Sequence, residues 1–421
     1  MFLCKCLWVV LAIGAPESPA SDAHLESRER TEESLRIENL ERRLAELEQA
    51  QEQSAPQSSD SWSLATDPSA WFRRFTLGGY GEIHANLGEG PSNDQVDIHR
   101  FVLFLGYEFE DWLVLTSETE IEHAFINDDD GEISIEQLYI DVLIRDGFNV
   151  RAGRLLTPVG IVNQKHEPPS FNGVERPLFA RVVVPTTWSS DGVGIFGRVS
   201  PEVKYQLYAV TGLDGSGFSA TSGIRGGRIK ERPSLNEPAV TGRVDFFPLA
   251  RRAAGGQVLR VGLSGYGGGL DNGDQGRDPN INGELLMGAV DFEYSIGIVD
   301  LRGAGAYQKI TGTRQIGGGV ATDIFGGYVE CGVHVLPEDC KTGKLSESDL
   351  VLFVRYDRVN TQYKLRSGVA DDPAGDREEV TAGFTWFFNP SIVFKGDVQI
   401  RNDGRAGDLP ALVNFGLGWE F

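Results

Sequence analysis

The 421-residue chain carries 61 acidic against 39 basic residues, a formal charge of −22, with 52 glycines, 40% hydrophobic and 10% aromatic residues. So acidic a balance excludes nucleic acid and anionic membrane surfaces as partners. The length permits several ordinary domains or one large all-β unit, and no span reads as a second enclosed core.

Residues 1–23 read as a secretory signal: Lys5, an apolar run from Leu7 to Ala15, then small residues with cleavage open after Ala15, Ala20 or Ala23. The run is too short to span a bilayer, and no later stretch approaches the ~18 apolar residues of a transmembrane helix. Only Cys331 and Cys340 follow the signal, as suits an oxidising compartment. A disulfide between them is chemically allowed, although strand parity aims Cys331 outward. In 24–53, Ile37, Leu40, Leu44 and Leu47 fall at 3-4-3 spacing with Arg36/Glu41 and Arg43/Glu48 flanking the seam. That pattern predicts a short coiled-coil helix, with a solvated amphipathic helix as the alternative. Residues 54–71 form a Ser/Pro/Gln linker.

From Phe75 the period is two. Sixteen alternating segments are predicted at 75–87, 97–109, 113–125, 133–144, 148–156, 190–199, 203–211, 239–247, 258–270, 285–294, 298–310, 322–335, 349–360, 377–388, 391–402 and 411–421. Links after odd segments are long, whereas most links after even ones are tight turns such as "ED", "SPE" and "NP". An even count with sorted loops predicts a 16-stranded antiparallel transmembrane β-barrel over 72–421, in the outer membrane of a Gram-negative-type bacterium and facing its lipid. A soluble β-sandwich also alternates, but predicts shorter strands and similar loops at both ends. The last segment, "ALVNFGLGWEF", puts Val413, Phe415, Leu417, Trp419 and Phe421 outward and is predicted to close the barrel against the first strand.

Charge on a lipid face is costly, so the charged face is the lumen. Parity assigns it the bases Arg100, Arg151, Lys204, Arg243, Arg260, Arg302, Arg355 and Lys395. Its thirteen acids outnumber those eight: Glu82, Glu108, Glu118, Glu120, Glu122, Asp141, Asp245, Asp291, Glu293, Asp300, Asp357, Asp397 and Glu420. The stripe Glu118, Glu120, Glu122 either pairs with facing arginines or biases the pore towards cations. The link after the fifth strand is the longest. It holds His166, Glu167, Glu175, Arg176 and Arg181 and is stiffened by Pro158, Pro168, Pro169, Pro177 and Pro185. Folded into the bore it makes a constriction loop, with its charges facing the Glu stripe across a transverse field; folded outward it makes a rigid cap. "HEPP" lacks a second His one turn on, and its prolines bar the zinc helix. No metal site, cofactor or catalytic constellation is expected: there is no GxSxG elbow or P-loop, and neither Cys sits in a reactive setting.

The run "SETEIEHAF…GEISIEQLYIDV…RAGRLLTPVGIVNQKHEPPSFNGVERPLFARVVVPTTWSSDGVGIFG", with "FVRYDRVNTQ" and "FGLGWEF", resembles the phosphate-selective porin O and P family. The resemblance implies a sixteen-stranded outer-membrane porin, trimeric as a homotrimer, that passes ions and small hydrophilic solutes down their gradients. It also implies a C-terminal Phe read by the barrel-assembly machinery. The chain departs from the family's selective members in having no dense basic ladder. Three functions follow as expectations: a general diffusion porin, a phosphate- or oxyanion-selective channel with a saturable site, and a plugged structural or adhesive barrel.

Overall fold

Sixteen antiparallel strands close on themselves in the computed structural model, which describes residues 72–88, 94–127, 130–229, 231–249, 258–270, 280–405 and 409–421. They are β1 (Phe75–Leu87), β2 (Gln95–Glu110), β3 (Leu113–Asn127), β4 (Asp130–Arg145), β5 (Phe148–Leu156), β6 (Ser189–Ser200), β7 (Val203–Thr211) and β8 (Pro238–Phe246). The circuit continues through β9 (Val258–Gly269), β10 (Glu284–Ile296), β11 (Val299–Ile310), β12 (Asp323–His334), β13 (Asp349–Lys364), β14 (Asp376–Asn389), β15 (Ile392–Asp403) and β16 (Leu412–Glu420). The signal peptide, coiled-coil helix and linker expected over 1–71 lie outside the described residues.

Each strand pairs with its sequence neighbours, and β16 returns to β1 with Glu82 opposite Gly418 and Ala85 opposite Phe415. Phe421 completes the seam: its N–H donates to Gly79 O and its carbonyl accepts from Gly79 N, both at 2.9 Å. Its ring stacks on Phe101 with centroids 6.3 Å apart. Outward positions such as Leu103, Leu105, Val354, Tyr356, Phe415 and Leu417 are exposed, while Glu82, Arg100, Asp291, Arg355 and Asp357 on the inner face are buried. An apolar outside around a charged inside is unstable in water and suits a bilayer. Cys331 is a free thiol.

Two irregularities shape the interior. A bulge opposite Glu118 sets both Glu136 and Gln137 on the inner face, between outward Ile135 and Leu138. And β5 is short: its last pairing with β4 is Leu138 with Arg154, so residues 130–137 of β4 extend beyond the β4–β5 ladder. The wall is therefore low at β5 and β6. The chain leaves β5 not upward but into the bore, as the loop 157–188.

Candidate functional site

Loop 157–188 contains α1 (Ile161–Gln164), a 3-10 turn at Pro168–Ser170 and α2 (Leu178–Val182). Its apolar residues Val159, Phe179, Val183 and Trp188 are buried in one cluster with Leu155, Tyr208 and Tyr266 of the wall. Burial of that many large side chains supplies the driving force for folding inward. Polar anchors then run round the bore. Gly160 N donates to Ser264 Oγ of β9 at 3.2 Å, Lys165 Nζ meets Glu293 of β10 at 3.2 Å, and Arg302 of β11 donates to Ser170 O at 2.9 Å. Farther on, Phe179 N donates to Asp357 of β13 at 3.1 Å, Arg181 pairs with Glu379 of β14 at 3.0 Å, and Val174 N donates to Asp397 of β15 at 2.6 Å. Glu175 meets His84 of β1 at 3.3 Å. The loop thus touches opposite walls and crosses the lumen rather than hugging one side.

The wall charges are paired in turn. Arg100 meets Glu82 at 2.7 Å and Glu120 at 3.0 Å. Arg151 holds Asp141 through two 2.7 Å bonds and lies 3.8 Å from the Tyr139 ring centre. Arg243 and Arg260 share Asp245 and Asp291, and Arg260 adds Glu293 at 2.7 Å. Arg302 reaches Glu330 at 3.4 Å, and the fully buried Arg355 lies among Asp357, Glu330 and Glu379. Most of the acidic surplus seen by parity is therefore wall pairing. Glu118 and Glu120 point inward but are buried beneath the loop, and of the stripe only Glu122 stays partly exposed.

The loop's own charges are likewise engaged. Arg176 donates to Thr186 Oγ1 at 3.1 Å and to His166 O at 3.0 Å. Burial raises the Glu175 carboxyl, but the His84 hydrogen bond and charge, with Arg181 and His99, outweigh it and hold it well below the usual carboxylate range. Burial opposes the His166 imidazolium, while Glu118 and Glu136 raise it to about 10. Glu167 is half-buried, and its backbone carbonyl accepts from Ser170 N at 2.9 Å.

Two water-accessible vestibules flank the loop. The loop-end cavity, about 700 Å³, is lined by Glu122, Glu132 and Glu136 of β3 and β4, by Arg100 and Arg176, and by Arg225, Arg228 and Glu231 of the next long loop. Arg228 donates to Thr186 O at 2.7 Å; burial and the Arg225 charge push it down to about 10, and Glu136, Glu122 and Glu120 counter that. The turn-end cavities, about 490 and 590 Å³, share Arg151, Lys204, Gln206 and Asp245. Among the described residues none lines both the loop-end and the turn-end cavities. Sequence reasoning missed Arg225, Arg228 and Glu136. The first two lie on a loop whose inward fold has no periodic signal, and the third is concealed by the bulge.

No family model matches the chain. It is 28% identical over 368 residues to an uncharacterized protein of Aquifex aeolicus, covering 82% of this chain and 80% of that one. Solved structures share the barrel fold. Salmonella typhi OmpF in complex with daunomycin superposes with a TM-score of 0.54 at 12% identity, covering 82% of this chain and 97% of that one. Pseudomonas putida OprB gives 0.52 at 12%, covering 84% and 96%, and an anion-selective porin from Comamonas acidovorans gives 0.50 at 14%, covering 82% and 99%.

Proposed function

We propose that this chain is an outer-membrane porin of a Gram-negative-type bacterium, through which ions and small hydrophilic solutes diffuse without bond chemistry. One observation carries the reading: a closed barrel with an apolar exterior holds charged vestibules on both sides of an inward loop, and the loop-end vestibule is lined by carboxylates and arginines together. Opposed charge across a narrow bore orients dipolar solutes and filters ions. The basic part of this field comes from Arg225 and Arg228, which line the cavity without a carboxylate partner among the described residues, whereas Arg181 is paired with Glu379 and Arg176 is buried.

Reversal potentials under a salt gradient test it. Replacing Glu122 and Glu132 together by Gln is expected to shift selectivity towards anions, and replacing Arg225 and Arg228 by Ala towards cations. Shifts of one sign, or none, remove these residues from the path. The narrower oxyanion-selective reading has less support: of the bases lining the turn-end cavities only Lys204 and Arg198 lack a carboxylate partner among the described residues. Block of chloride current by dilute phosphate would establish it.

A second reading, the plugged barrel, is favoured by the loop's contacts with opposite walls. Planar-bilayer recordings separate the two: steady ohmic channels support the porin, and a silent folded protein supports the plug.

A further inference from the structure

Glu118 of β3, the bulged Glu136 of β4 and His166 of the loop bring three ligand atoms to one point, each residue at most 3% exposed. Glu118 Oε1 and Glu136 Oε2 each lie 3.5 Å from His166 Nε2, all three atoms fall within 4.8 Å of one another, and none has a hydrogen-bond partner. Orphaned buried polar atoms are costly, and three converging ones need a common occupant. We infer that this cluster is a divalent-metal site that ties the constriction loop to the barrel wall between the two vestibules.

Ligand geometry fits. Nitrogen and oxygen ligands about 2.0–2.2 Å from a tetrahedral Zn²⁺ stand roughly 3.3–3.6 Å apart, the spacing of both His166 contacts. The supporting shell fits as well. His166 Nδ1 donates to Asn163 O at 3.2 Å, so Nε2 is the nitrogen that faces the carboxylates, and a metal there takes the place of the Nε2 proton. Asn163 is fixed in turn: its amide donates to Thr157 O at 2.7 Å and Trp188 O at 3.1 Å, and its Oδ1 accepts from Trp188 N at 2.9 Å. Glu118 Oε2 accepts from Gln137. Two carboxylates with a neutral imidazole carry the charge that one divalent cation balances, and its entry displaces any proton held on Nε2. Two carboxylates and one imidazole suit Zn²⁺ or a neighbouring first-row ion better than the all-oxygen cages of Ca²⁺. Positions 118, 136 and 166 are too far apart in sequence for any linear motif to show the set.

The test needs no channel activity, so it succeeds or fails independently of the porin reading. The full-length protein, folded in detergent and stripped with a chelator, is loaded with Zn²⁺ at pH 8, desalted and assayed for bound metal, with Co²⁺ substitution read by visible absorption. The expected result is one Zn²⁺ per chain and the intense visible bands of four-coordinate Co²⁺, both lost in Glu136→Gln and His166→Gln and both kept in His123→Gln. Circular dichroism verifies that each variant keeps its barrel. Wild-type protein that retains no metal overturns the inference. Retention in Glu136→Gln and His166→Gln together with loss in His123→Gln overturns it too, because it moves the ion to the Asp97, His99 and His123 group at the mouth.

Discussion

Glu175 is the residue through which acid should reach the loop. It meets His84 Nδ1 at 3.3 Å and accepts from Asn86 Nδ2 at 3.3 Å, so its carboxylate fastens the middle of the loop to β1. Because its folded pKa is depressed, the stabilisation is complete above the unfolded value of about 4.3. It is lost as pH falls through the lower folded value. Single-channel fluctuations in the wild type should therefore grow below about pH 4, whereas Glu175→Gln should fluctuate at neutral pH and respond weakly to acid. An unchanged acid response in the variant would assign gating to other groups. Inward direction at this scale was legible from parity: Glu118, Glu120 and Arg100 all point where alternation puts them. Engagement was not, since it depends on which residue faces which across strands and on a loop arriving from the fifth strand. Parity itself failed at Glu136, where one extra residue puts two neighbours on the same face.

The loop and the closing strand were shaped for each other. Inward Gly416 and Gly418 of β16 give the loop its room: a Cβ on Gly418 would sit 2.4 Å from Pro168 Cβ, and one on Gly416 would sit 3.1 Å from Val174 Cγ1. The inward glycines of "FGLGWEF" are where the loop rests on the closing strand. Gly418→Val should push the 168–174 segment off β16, raising conductance while leaving the strands paired. Phe179→Ala tests the other anchor, since Phe179 is 1% exposed and packs 6.0 Å from the Tyr328 ring. Truncating so buried an aromatic costs about 3–5 kcal/mol, here charged mainly to loop docking. Proteolytic nicking of 157–188 in folded protein should rise in both variants; protection equal to wild type in both would mean the loop is held elsewhere. The strands themselves were legible to within a few residues, because period-two alternation is the strongest signal a barrel sends. The largest overrun, β13 continuing to Lys364 beyond the expected 360, has a tertiary cause: Thr361 donates to Ala220 O at 2.6 Å, a long-loop contact with no local trace.

At the scale of the molecule, a charged pair interrupts the apolar exterior. Arg154 and Asp191 point outward from β5 and β6, joined at 2.6 and 3.1 Å, beside outward Ile135 and Leu138. Another outward pair, Arg358 with Asp376 and Glu378, lies nine residues from the turn end of its strand, near the loop rim. Arg154 lies only six residues from the turn end of β5, nearer mid-membrane. There a lone Arg on lipid costs about 2–4 kcal/mol, and partial pairing recovers only some of it. The pair also stands where the wall is lowest, just below the end of β4 that extends beyond the β4–β5 ladder. Both facts favour protein rather than lipid against this face, and the partner of matching hydrophobic height is another copy of the barrel, as in the proposed homotrimer. Replacing Arg154 and Asp191 together by Leu separates the cases. If copies meet here, unheated samples should run as monomers in mild-detergent electrophoresis and should melt earlier. If lipid covers the face, two leucines suit it better than two charges, so an unchanged oligomer with a higher melting temperature would place the subunit contact on another part of the wall.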